Sequence, residues 1–251
     1  MKRTLINSLL ICAMVQVGSA RFVQATASTH VWAPSTDVQA YKLVHITSDM
    51  YLPVERDAYG TRTATVTNLG LTVGVLPFRG INMEIGFDQK SGLGSLDDYP
   101  LYGNVKAGVP ENAFGRFSPA LAIGVFDIGT KPDLTDFNVI YFKVARTVKV
   151  GQTSLGRFSI GYFSGNDRLL LDGKGEKDNT GMVVAWERTM TEWSDKLWLC
   201  ADYMGTKSVY GTFNVGLSWK FAPNVVMLGA LDIFNNSDLA TTGTIQVDID
   251  I

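Results

Sequence analysis

Seven charged residues stand at the polar positions of segments that otherwise alternate apolar and polar side chains. A charge at such a position must find water or an opposite charge. These positions therefore predict a wet or ion-paired interior. Because five of the seven residues are acids, a channel through that interior is predicted to prefer cations weakly. Lys143 and Arg146 offset part of that excess if they also face inward. The seven residues are Glu84, Lys106, Glu187, Asp202, Lys220, Asp248 and Asp250.

The sequence contains no recognisable cofactor or metal motif. Cys200 is the only cysteine outside the N-terminal segment, and no cysteine and histidine residues cluster at ligand spacing. Gly173 to Gly175 lacks the full spacing and the strand-to-helix context of a phosphate loop. The acids at 97–98 and 133–136 lack the regular spacing of a calcium loop. We therefore expect no cofactor, and we interpret these stretches as solvated loops.

The segment from Val209 to Phe221 shows most clearly which elements carry the charged positions. Phe213, Val215 and Leu217 alternate there with polar or small residues. Successive side chains of a strand point to opposite faces, so this strand has one apolar and one polar face. About twelve such segments follow a linker that contains Pro34, and the first is predicted near Asp37 to Ser48.

Strands of about ten tilted residues are long enough to cross a bilayer. Every backbone polar group in lipid must be bonded within the protein, so such strands must close into a barrel. The connections alternate between compact turns, such as 222–224, and longer polar loops, such as 166–179. This alternation is typical of transmembrane barrels whose termini are both periplasmic. We therefore predict an all-β fold, a single closed antiparallel transmembrane β-barrel of about twelve strands.

Composition agrees with a wall that faces lipid. Of the 251 residues, 46% are hydrophobic and only 18% are charged, against about one quarter charged in a typical soluble domain. The net charge of −2 at pH 7 gives no reason to expect a nucleic-acid partner.

The N-terminus has the pattern of a secretory signal peptide. Lys2 and Arg3 precede an apolar stretch, Leu5 to Val17, and small residues follow. Cleavage is predicted after Ala20 or Ala27. The alternative is a membrane anchor, which this stretch of about thirteen residues is too short to form comfortably. Removal of residues 1–27 takes the net charge from −2 to −5 and leaves residues 28–251 as one barrel domain.

The chain resembles Gram-negative outer-membrane β-barrel proteins of the porin-like kind. The signal segment, the glycine-rich alternating strands and the last strand, Thr244 to Ile251, carry the resemblance. Members of that family usually end in an aromatic residue that the barrel-assembly machinery recognises, whereas this chain ends in Ile251. The resemblance implies the outer membrane as location, and outer-membrane lipid and the assembly machinery as partners. It matches no functional motif.

His45 is the only visible candidate for a catalytic base. Some outer-membrane acyl hydrolases place a histidine and a serine two residues apart on one strand, and here Thr47 has that spacing. Nucleophilic catalysis also needs an orienting group and an oxyanion site, and the sequence shows neither. We therefore predict a protein that is not an enzyme, with a lipid-modifying enzyme as the alternative.

The function that follows from this interpretation is passive passage of small polar solutes or ions through the barrel. Three alternatives stay open: a structural or recognition barrel that displays external loops without transport, the membrane enzyme, and a soluble secreted β-protein. A barrel of about twelve strands lies between the filled eight-stranded and the open sixteen-stranded ones, so its width does not decide among them.

Overall fold

A computed structural model describes residues 28–78 and 80–251. The predicted signal peptide, residues 1–27, lies outside these ranges. No helix within them is long and apolar enough to cross a membrane.

The described residues form twelve strands that pair antiparallel in chain order. A short 3₁₀ helix, Gly94–Asp98, lies between the third and fourth strands. The strands are β1 (Val44–Pro53), β2 (Val66–Gly74), β3 (Asn82–Ser91), β4 (Leu101–Val109), β5 (Ala120–Gly129), β6 (Val139–Val150), β7 (Thr153–Ser164), β8 (Thr180–Thr189), β9 (Leu197–Met204), β10 (Thr212–Ala222), β11 (Val225–Phe234) and β12 (Thr242–Asp250).

β1 closes the barrel because it pairs with β2 on one side and β12 on the other. Ile46 lies opposite Leu71 in β2 and Ile249 in β12. Closure leaves no strand edge with unpaired N–H and C=O groups. The predicted fold class, a closed antiparallel barrel of about twelve strands, is confirmed.

Burial separates the outer and inner faces of the barrel. On β10, Phe213, Val215 and Leu217 are 42–51% exposed, whereas Asn214 between them is fully buried. The alternation therefore predicts the outer face correctly. On β11, whose faces the sequence leaves undecided, Val226 and Leu228 are buried inside.

The two ends of the barrel differ in their connections. At one end, here the turn end, β6–β7 and β10–β11 are joined by only residues 151–152 and 223–224; at the other, the loop end, β7–β8 are joined by residues 165–179. Phe117, Trp193 and Phe221 are strongly exposed near the turn end, as expected for an aromatic girdle. Phe137 and Phe234 also lie near strand ends, but both rings turn into the lumen and meet other aromatic rings edge to face there.

The predicted start of the first strand is wrong by seven residues. β1 begins at Val44 rather than Asp37. Residues 28–40, most of which the sequence predicts to be a linker, lie inside the barrel. We call residues 28–40 the lumen segment.

Candidate functional site in the barrel lumen

The lumen segment makes a tight turn around one buried carboxylate. Thr29 and Pro34 form a β-bridge, and the N–H of His30 donates to the carbonyl of Ala33 at 2.8 Å. Inside this turn, the backbone N–H groups of residues 31, 32 and 33 all donate to Asp202 on β9, at 2.7, 3.1 and 3.3 Å. Bonds from N–H groups to an ionised carboxylate are stronger than neutral ones. Asp202 therefore fixes the turn to the barrel wall.

A buried ion pair on neighbouring strands holds both ends of the lumen segment. Lys106 on β4 lies 3.1 Å from Glu84 on β3. Glu84 also accepts from the hydroxyl of Ser28 at 2.7 Å and the N–H of Gln39 at 2.6 Å, and Lys106 donates to the carbonyl of Ser28 at 3.1 Å. The same ion pair thus holds both ends of the lumen segment.

Two cations on other elements connect the lumen segment to the opposite wall. Arg157 donates to Asp37 at 2.7 Å and lies 3.6 Å from Glu187, which also lies 3.4 Å from His30. Lys143 is fully buried and donates to the carbonyl of Pro34 at 2.8 Å. Removing one partner of a buried ion pair costs about 3–5 kcal/mol, so these contacts fix the segment firmly.

Glycines on the inner face make room for the lumen segment. A Cβ atom on Gly108 would lie 2.7 Å from a methyl carbon of Val38, and one on Gly216 would lie 2.9 Å from a methyl carbon of Val31. Both distances are shorter than van der Waals contact, so a larger residue at either position would displace the segment.

The remaining predicted site residues lie near the turn end. His45 Nε2 lies 3.2 Å from Asp248, and His45 Nδ1 lies 2.8 Å from Asp250. Only a doubly protonated ring can donate to both carboxylates, so His45 offsets part of their charge. Lys220 is half-buried on the inner face of β10.

A cavity of about 650 Å³ lies beside the lumen segment. At the loop end its lining includes Asp57, Leu93 and Leu239. Towards the turn end it reaches His45 and Glu84. Six acids, two lysines and one histidine line it, together with nine aromatic side chains. The cavity is thus acidic and aromatic along most of the barrel.

Three carboxylates on β1, β3 and β5 form a row along the wall of this cavity; Asp49, Asp88 and Asp127 are the carboxylate row. The side-chain amide of Asn68 donates to Asp49 at 3.0 Å and to Asp88 at 3.1 Å. The amide of Asn104 donates to the other oxygen of Asp88. The neutral amides thus separate the carboxylates without neutralising them.

Lys90 is the cation closest to the carboxylate row. Its ammonium group donates to both oxygens of Asp127, at 2.6 and 2.7 Å, and lies 4.8 Å from the ring centroid of Tyr102. Asp127 also accepts from the hydroxyl of Tyr210. Neither Asp49 nor Asp88 forms an ion pair with any described residue.

The aromatic residues form two groups above the lumen segment. Trp32, at the turn of the segment, meets Tyr51 and Phe234 edge to face, with ring centroids 5.4 and 5.8 Å apart. Phe126 and Tyr210 form the second group at 5.5 Å. Tyr51 follows Asp49 by two residues on the inner face of β1, so the first aromatic group adjoins the carboxylate row.

The structure places the seven predicted residues on the inner face, and six of them have partners there. Glu84, Lys106, Glu187 and Asp202 contact the lumen segment, while Asp248 and Asp250 pair with His45. Their assignment to ion selectivity stays a prediction. The carboxylate row was missed, although Asp88 stands at an inward position of the third strand and Asp49 is in phase with His45 and Thr47 on β1.

The contacts of His45 do not form a nucleophilic site. The ring is buried within the barrel rather than facing outward, and carboxylates occupy both of its nitrogens. Thr47 donates to Asp49 at 2.6 Å instead of to His45. Among the described residues, no group of three or more His, Cys, Asp and Glu side chains could hold a metal ion.

Comparison with known proteins gives a fold and no sequence family. No family model and no curated protein match the chain. The solved structure of the KdgM porin is 12% identical, with a TM-score of 0.52 over 83% of this chain and 99% of that one. The KdgM porin in complex with disordered oligogalacturonate is 11% identical, with the same TM-score and coverage. An outer membrane channel from Pseudomonas putida F1 is 10% identical over 94% of this chain and 100% of that one, with a TM-score of 0.45.

At such low identity the likeness concerns the fold alone. The chain has the closed twelve-stranded antiparallel barrel of porin-like outer-membrane proteins, which confirms the resemblance predicted from its strands.

Proposed function

We propose that the protein is an outer-membrane channel that passes small polar solutes or ions without energy input. The observation that carries this proposal is the cavity, whose lining of charged and aromatic side chains extends from the loops almost to the turn end beside the lumen segment. A core that only had to be stable would replace these charges with apolar side chains, because buried charges are costly.

The outer wall supports a location in a bilayer. Leu71, Phe87, Ile123 and Leu217 are each about half exposed on four different strands. Moving side chains of this kind out of water lowers the free energy by about 25 cal/mol for each Å² of apolar surface. The low charge and the signal-like N-terminus agree with export to the outer membrane.

The lumen segment limits what can pass. It fills the lumen beside β6 to β10 and leaves the cavity along β1 to β5. We therefore propose a narrow passage for single ions and small polar molecules. The related fold of the KdgM porin has been solved with oligogalacturonate, a polyanion, which the acidic lining here would repel.

We further propose a cation preference that arises from the carboxylate row. Glu84, Glu187 and Asp202 are neutralised or hydrogen-bonded by the lumen segment and nearby cations, so their fields in the passage are weakened. Asp49 and Asp88 form no salt bridge with a described residue, and Lys90, two positions from Asp88 on the same face of β3, offsets only part of the charge at Asp88 because it pairs with Asp127. Low-dielectric walls strengthen the field of such charges.

The direct test is conductance of the full chain in a planar lipid bilayer. Discrete current steps in KCl, together with uptake of a small neutral solute such as glycerol by liposomes carrying the protein, are expected. A barrel that is shown to be folded and inserted but gives no steps and no uptake would contradict the proposal.

The second candidate function is a closed barrel that displays its loops for recognition. The number of contacts between the lumen segment and the wall favours it, because these contacts hold the segment in place. The two functions differ in the same bilayer measurement. A closed barrel stays silent as wild type and conducts only when the segment is released.

A further inference from the structure

We propose that the cavity contains a binding site for a small organic cation, a protonated amine with an aromatic or other apolar body. The inference rests on the proposed channel function, since it names the class of solute that the passage would hold. It assigns the cation preference to a defined binding site, in addition to the electrostatic field of the lumen.

The first argument is the charge balance of the carboxylate row. Asp49 is 7% exposed, Asp88 is half-buried, and both line the cavity. Their hydrogen bonds come from the neutral groups of Thr47, Asn68 and Asn104. Buried charges are normally paired, and here the cavity is the side from which a cation can approach.

The second argument is a polar group without a partner. Tyr102 is only 1% exposed, its hydroxyl has no hydrogen-bond partner, and it lines the same cavity. A buried hydroxyl without a partner costs about 1–3 kcal/mol. A ligand in the cavity that accepts from or donates to this hydroxyl would remove that cost.

The third argument is the aromatic surface beside the carboxylates. Trp32 and Tyr51 offer ring surfaces next to Asp49, and the ammonium group of Lys90 already lies over the ring of Tyr102. Cations are attracted to aromatic faces, most of all when they are shielded from water. An ammonium group at the carboxylates and an apolar body against the rings would use both features.

The arrangement selects against other classes of ligand. An anion would face the carboxylate row, and a neutral molecule of the same shape would leave Asp49 and Asp88 without a counter-charge. A bare metal ion has no apolar body to pack against the rings. The combination therefore favours an organic cation.

The test is calorimetric titration of the full chain, folded in dodecyl maltoside micelles at pH 7. The probes are 2-phenylethylamine, which is protonated, 2-phenylethanol, which is neutral and has the same shape, and phenylacetate, which is an anion. Titration of protein-free micelles corrects for partition into detergent. We expect saturable binding of the amine at least tenfold tighter than that of the alcohol, and no binding of the anion.

Three variants locate the site. Asp49→Asn and Asp88→Asn should each weaken amine binding about tenfold or more. Tyr102→Phe removes a hydroxyl that bonds to nothing in the protein, so it should leave the barrel intact and weaken binding severalfold. Asp167→Asn, which changes an exposed loop residue paired with Lys177, is the matched control and should bind the amine like wild type.

Equal binding of amine and alcohol by the wild type would overturn the inference, even if every variant failed to fold. Amine binding that is unchanged in both Asp88→Asn and Tyr102→Phe would also overturn it. The result is distinguishable from the conductance test because it needs no transport. A barrel that conducts but does not bind the amine contradicts only this inference, and one that binds but never conducts contradicts only the channel.

Discussion

Leu217 offers the sharpest test of whether the outer wall lies in lipid. It is the sixth of the eleven residues of β10 and is 51% exposed on the outer face. With a rise of about 3.4 Å per residue and a tilt of about 40°, β10 spans roughly 29 Å along the barrel axis. The apolar band of a transmembrane barrel is about 25 Å tall, so Leu217 is expected close to the bilayer midplane.

Leu217→Arg should therefore lower the free energy of unfolding by about 2–4 kcal/mol, a change of about 30- to 700-fold in the equilibrium constant. The assay is reversible urea unfolding of the barrel in phosphatidylcholine vesicles, followed by tryptophan fluorescence. Phe221→Arg is the matched control on the same strand and face. Phe221 lies four residues further on, roughly 10 Å closer to the turn end, and arginine there should cost about 0–1 kcal/mol.

Equal losses at Leu217 and Phe221 would show that depth does not matter and would refute a wall in lipid. A Leu217→Arg variant with the same free energy of unfolding as the wild type would refute it as well. Asn214, which the alternation places on the polar face, is not a suitable control. Its side chain is fully buried and donates to Asp202 at 2.6 Å, so an arginine there would disrupt the contacts of the lumen segment.

Three further predictions concern the lumen and the N-terminus. Asp202→Ala removes the acceptor of three backbone N–H groups. We expect the free energy of unfolding to fall by about 2–4 kcal/mol, since each bond to a charged group contributes about 1.5–3 kcal/mol. We also expect the single-channel conductance to rise. The double variant Asp49→Asn with Asp88→Asn should move the reversal potential in a KCl gradient towards zero, because it removes two carboxylates without a paired cation. N-terminal sequencing of the purified protein should begin at Arg21 or Ser28.

Each of these predictions has its own control. Asp133→Ala changes an exposed aspartate that pairs with Arg168, and a similar rise in its conductance would mean that release of the lumen segment is not the cause. The double variant Asp248→Asn with Asp250→Asn should move the reversal potential less than Asp49→Asn with Asp88→Asn does, because His45 already offsets the charge of Asp248 and Asp250. A larger shift would show that the acids at the turn end determine the selectivity. A first residue of Met1 would contradict cleavage.

The strands were predictable because a wall between lipid and a polar lumen imposes a period of two. The segment from Val209 to Phe221 corresponds to β10, Thr212–Ala222, to within three residues at each end. The error at β1 has a physical cause. Residues 37–40 are bonded to inward side chains, such as Glu84 and Arg157, rather than to a neighbouring strand, and no local pattern in a sequence records that difference.

The sequence predicts which residues lie on the inner face, but it does not predict which side chains or backbone groups they bond to. Period two assigns Glu84, Asp202 and Asp248 to the lumen, but which of them keeps an unbalanced charge depends on the path of residues 28–40. Glycines that face the segment, such as Gly74, Gly108 and Gly216, are a signal of its path that the sequence does contain. Glycine is common in barrel strands, so this signal is weak.

If the barrel conducts as proposed, its selectivity follows from the unpaired part of its inner charge rather than from the total. Glu84 and Glu187 face cations, and Asp202 accepts four hydrogen bonds, so these acids mainly fix the lumen segment. Because most of the segment follows the wall of β6 to β10, it leaves Asp49 on β1 and Asp88 on β3 without such partners. The same peptide that narrows the lumen therefore determines which carboxylates a solute meets, and a change in its path would alter width and charge preference together.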